Sequence, residues 1–72
     1  MKINSVKQIL TKFTKICDDN NLDITVEILT TNNLKIIFHP HCWYIEFDCL
    51  AILTKQGETV WIPFDTIAQI KY

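Results

Sequence analysis

Seventy-two residues suit one small domain, residues 1–72, and 49% hydrophobic against 21% charged residues makes the chain globular rather than disordered. Seven lysines, no arginine and eight Asp plus Glu give a formal net charge of −1, and without the guanidinium fork that reads bases and phosphates, nucleic acid is a less favoured partner than protein. Cys17, Cys42 and Cys49 form an odd set without a CxxC pair, which argues against a secreted disulfide scaffold, and no apolar run approaches the roughly 18 residues of a membrane span, so the expected location is the cytoplasm, away from membranes.

Ser5-Val6-Lys7-Gln8 has the form of a capping box and predicts a helix over about residues 5–19. At about 100° per residue, Val6, Ile9, Leu10, Phe13, Ile16 and Cys17 share one arc, while Lys7, Gln8, Thr11, Lys12, Thr14 and Lys15 cover the other side. Asp18 and Asp19 oppose the macrodipole at the far end, and Asn20-Asn21 suits a left-handed cap.

From Asp23 the period changes to two. Ile24, Val26 and Ile28 alternate with Thr25 and Glu27, predicting a strand over about residues 23–30 that Thr31-Asn32-Asn33 ends in a tight turn. A second strand spans about residues 34–47, interrupted at His39-Pro40-His41 because proline removes a ladder donor. Strands over about residues 48–54 and 59–64 flank Lys55-Gln56-Gly57-Glu58, whose glycine can take the left-handed loop position. Asp65-Thr66 makes a corner, and a last strand covers about residues 67–72. The expected fold is α+β: an N-terminal amphipathic helix followed by a strongly bent five-stranded antiparallel sheet, or a small barrel of the SH3 or Sm type.

Between Cys42 and Leu53 both faces of the sheet read as apolar. Trp43, Ile45, Phe47, Cys49, Ala51 and Leu53 occupy one set of alternate positions, and Cys42, Tyr44, Leu50 and Ile52 the other. One helix covers one face, so curvature, a second subunit or a partner must close the other.

The order of helix, five strands and a short turn before the last strand is similar to that of the Sm-like family. Gly57-Glu58-Thr59-Val60-Trp61-Ile62-Pro63-Phe64-Asp65-Thr66-Ile67-Ala68-Gln69-Ile70 resembles the closing hairpin, turn and strand of small Sm-like proteins of Gram-positive bacteria and their phages. The resemblance covers roughly the last quarter of the chain and implies a barrel fold. Ile62-Pro63-Phe64-Asp65 lacks the glycine that RNA-binding Sm proteins usually carry at this turn, so none of that family's RNA-binding residues transfers.

Chemistry-bearing groups are sparse. His39, His41 and Cys42 come nearest to a metal site, but a fourth ligand is missing from the spacing and Pro40 disturbs the alternation, so no metal or other cofactor is expected. His41 and Cys42 are neighbours on an extended segment and point to opposite faces, which removes a thiol–imidazole pair. The carboxylates are scattered, and a single glycine excludes a glycine-rich phosphate cradle.

Trp43, Tyr44, Trp61, Phe64 and Tyr72 are more large rings than so small a core encloses, and exposed aromatics concentrate at protein interfaces. The expectation is therefore a non-enzymatic protein-binding module that binds a protein partner through these rings. The resemblance, with the Asn-, Lys- and Ile-rich composition, points to a regulator or inhibitor encoded by a phage or other mobile element and acting in the host cytoplasm on a host protein such as a defence factor. The alternative is an Sm-like homo-oligomer that binds RNA, DNA or a nucleotide, with Lys7, Lys12 and Lys15 as its phosphate contacts.

Overall fold

The computed structural model describes residues 1–21 and 23–72. Among them one helix precedes six strands arranged as two three-stranded antiparallel sheets, an α+β architecture.

Helix α1 spans Ile3–Asn20 and buries Val6, Leu10, Phe13 and Cys17, the stripe its periodicity predicts. It begins two residues before the expected Ser5 cap. Lys2 is the N-cap, in extended conformation and without a side-chain capping bond, and its carbonyl accepts from the Val6 N–H. The reason is tertiary: the Met1 nitrogen donates to the carbonyls of Phe64 at 2.9 Å and Ile67 at 3.2 Å, which pins the helix entry to the opposite end of the chain. At the other end Asn21 takes the left-handed conformation, φ 49°, and closes the helix as its sequence suggests.

Strand β1 (Val26–Thr30) is central in the first sheet, between β2 (Lys35–Phe38) and β6 (Ile67–Lys71). The second sheet is ordered β3-β4-β5, from Trp43–Glu46, Cys49–Leu53 and Thr59–Pro63. The predicted strand over residues 34–47 is thus two strands in different sheets. Pro40 is buried in the corner between them, and the Cys42 N–H bonds to the His39 carbonyl at 2.8 Å, turning the chain from one sheet to the other. A short 3-10 turn, Phe64–Thr66, makes the return corner from β5 to β6.

The two sheets and α1 enclose one core. Ile28 pairs with Ile36 and Ile70 on the inner side of the first sheet. Leu50 and Ile52 pair with Ile62 and Val60 on the inner side of the second, and Leu10, Val6 and Phe38 complete the cluster. Each large aliphatic side chain moved from water to this interior contributes about 1.5–3 kcal/mol. The expected turn at Thr31-Asn32-Asn33 is present, with Asn33 at φ 66°, and Gly57 takes φ 83° in the β4–β5 loop.

Candidate protein-binding face

The outer side of the second sheet is apolar at its centre, with Glu46 and Thr59 toward its ends. Its hairpins set three cross-strand rows there: Glu46, Cys49 and Pro63; then Tyr44, Ala51 and Trp61; then Leu53 beside Thr59. Side chains on adjacent strands at the same register lie about 4.5–5.5 Å apart at Cβ. Tyr44 and Trp61 are one strand further apart, and Ala51 between them is too small to keep their rings separate. They meet edge-to-face above it, centroids 5.8 Å apart and planes at 84°. Ala51 is 0% exposed as a result, while Tyr44 and Trp61 keep 44% and 45% of their surface in solvent.

Leu53, also on this side, is exposed, and β3 and β5 are edge strands with one hydrogen-bonded neighbour each. Along the free edge of β5 runs an open groove of about 420 Å³, walled by Trp61 and Pro63 on one side and by Thr31, Asn32 and Leu34 on the other.

This face differs in membership from the one expected. Straight alternation from Trp43 through Leu53 puts Trp43, Ile45, Ala51 and Leu53 together. The pairing of Glu46 with Cys49 leaves Phe47-Asp48 as a two-residue loop, so Trp43 and Ile45 point inward with Leu50 and Ile52, and Tyr44 points outward with Ala51 and Leu53. Phe47 belongs to neither face. It sits at the hairpin tip with φ 56°, a conformation costly for a bulky residue, and is 83% exposed.

Of the five rings predicted to meet a partner, Tyr44 and Trp61 come together on the surface. Trp43 packs against the core, its indole N–H donating to the Thr14 hydroxyl at 3.1 Å. Phe64 is buried, because the 3-10 corner turns it into the cluster rather than out of it. Tyr72 is exposed but lies elsewhere, edge-on to Phe13 with centroids 4.6 Å apart. Ala51, Leu53 and Phe47 were absent from the expected set. Ala51 and Leu53 become visible once the hairpin loop is placed, whereas Phe47 occupies the positive-φ position of that loop, where glycine or asparagine would have marked a turn.

Lys7, Lys12 and Lys15 are exposed along one side of α1 with Gln8 and Thr11. His39 and His41 stack with ring centroids 5.4 Å apart, and the His39 Nδ1 accepts the backbone N–H of His41. His41 Nε2 lies 2.6 Å from Asp18 Oδ1 on the helix. The three cysteines form no disulfide. Among the described residues no helix is long and apolar enough to cross a membrane.

Compared with protein-family models, with curated proteins and with solved structures, the chain finds no match in any of the three.

Proposed function

We propose that this chain is a non-enzymatic protein-binding module that docks a partner protein on the outer side of the β3-β4-β5 sheet. The observation that carries the reading is the Tyr44–Trp61 pair, held in edge contact over a fully covered alanine and half open to water. Rigid aromatic anchors of this kind lose little entropy on binding and dominate the energetics of protein interfaces. Leu53 extends the apolar area and the free edge of β5 offers main-chain donors and acceptors beside it. A module that acts through one face works by covering a partner's surface, the action of a regulator or inhibitor.

Affinity capture from a lysate of the source cell, run in parallel with the chain and with a Tyr44→Ala/Trp61→Ala variant, tests this. A protein retained by the first and lost by the second, at low and at high salt, supports the reading. Retention by both contradicts it.

A second reading, an Sm-like oligomer that binds nucleic acid, is supported by the helix followed by two sheets joined at a 3-10 corner and by the line of Lys7, Lys12 and Lys15. It requires binding that weakens steeply with salt and is removed by charge reversal at those lysines. A net charge of −1 and the lack of arginine favour the first reading.

A further inference from the structure

Asp18 and Asp19 pose an electrostatic problem that a protein-binding face does not address. They lie in the last turn of α1, where the helix carries partial negative charge, and no basic residue occupies that turn. Two carboxylates at this end are unfavourable on their own. A bound cation reverses the sign of that effect.

The fold brings the ligands for one together. Cys17 and Asp18 come from the helix end and His41 from the β2–β3 corner, 23 residues beyond Asp18. The Cys17 sulfur, an Asp18 carboxylate oxygen and a His41 ring nitrogen all lie within 4.8 Å of one another. We infer that Cys17, Asp18 and His41 form a binding site for a divalent ion of the zinc class.

The donor set is the argument for that class. Thiolate, imidazole and carboxylate together suit a borderline-soft ion, and metal–ligand bonds of about 2.0–2.3 Å put neighbouring donors about 3–4 Å apart. The observed spacing, from 2.6 Å between Asp18 and His41 to at most 4.8 Å, brackets that range. Asp18 and His41 are each about half exposed, so both side chains can rotate by the ångström required without disturbing the core. His39 supports the geometry through its ring contact with His41 and the bond from the His41 N–H, which together shape the corner. Asp18 and His41 also line an open cleft with Pro40, Trp43 and Thr11, so an ion held by them would be reached by water from that side. On binding, the thiol proton of Cys17 passes to solvent and the Asp18–His41 contact is replaced by a bond from each to the ion.

The test is titration of the full chain with Co(II). One ion should bind per chain, with a near-ultraviolet thiolate-to-cobalt band and the visible bands of tetrahedral cobalt, and zinc should bleach both. The band should persist in a Cys42→Ser/Cys49→Ser protein, which assigns it to Cys17 without altering the buried position. His41→Gln and Asp18→Asn, at exposed positions that leave folding intact, should each weaken cobalt binding by at least about tenfold. A spectrum without the thiolate band, loss of the band in the Cys42→Ser/Cys49→Ser protein, or an affinity that His41→Gln leaves unchanged would overturn the inference.

Discussion

The indole of Trp43 and the hydroxyl of Thr14 are bonded to each other, Nε1 to Oγ1 at 3.1 Å, and the same hydroxyl lies 2.7 Å from the carbonyl of Pro40. Thr14 thus joins the helix to the corner between the two sheets and satisfies the polar edge of a ring that packs inward. Replacing it by valine keeps the shape but leaves the indole N–H and the Pro40 carbonyl without this partner. Thr14→Val should lower stability by about 1–3 kcal/mol in urea unfolding, and Thr14→Ser should recover most of that loss.

Phe47 makes the opposite prediction. Its φ of 56° at the hairpin tip costs about 1–3 kcal/mol for a residue of this size, and the side chain is almost wholly in water. Phe47→Gly should therefore raise the unfolding midpoint, despite removing a large apolar side chain. A fall in the midpoint would mean that the ring contributes more to the folded state than its exposure allows.

Leu50 and Leu34 separate core from surface. Leu50, on β4, is buried in the core cluster, whereas Leu34 is exposed at the end of the β1–β2 turn. Leu50→Ala should cost about 2–5 kcal/mol, enough to unfold much of a domain this small at physiological temperature. Leu34→Ala should stay within about 0.5 kcal/mol of the parent. Circular dichroism through a thermal melt distinguishes the two.

Ala51 sets the spacing of the aromatic pair, since its small side chain lets Tyr44 and Trp61 meet across the middle strand. Ala51→Leu should push the rings apart at a cost of about 1–3 kcal/mol. It should reduce the near-ultraviolet dichroism of the pair and weaken partner binding while far-ultraviolet dichroism remains that of the parent.

Much of the local structure was legible in the residues themselves. The apolar stripe from Val6 to Cys17, the positive φ at Asn21 and Asn33 and the single glycine of the β4–β5 loop each follow from an intrinsic preference. What was not legible depended on contacts far apart in the chain. The helix start moved to Ile3 because the Met1 nitrogen meets the corner at Phe64–Thr66 and the residue after it, Ile67. The outer face is not legible from alternation because Phe47-Asp48 forms a tight loop with no glycine or asparagine at its positive-φ position, and a strand pattern read across it assigns every residue beyond the loop to the wrong side. Composition alone promised surplus aromatics, but only register selects Tyr44 and Trp61 and sends Phe64 inside.

The most direct test is the dissociation constant of the captured partner, measured for the chain and for Tyr44→Ala/Trp61→Ala once both are shown to melt at matching temperatures. If the paired rings anchor the complex, removing them should weaken binding by well over about 100-fold, as hot-spot aromatics do. Equal affinity for the two proteins would place the contact elsewhere on the surface and end the case for this face.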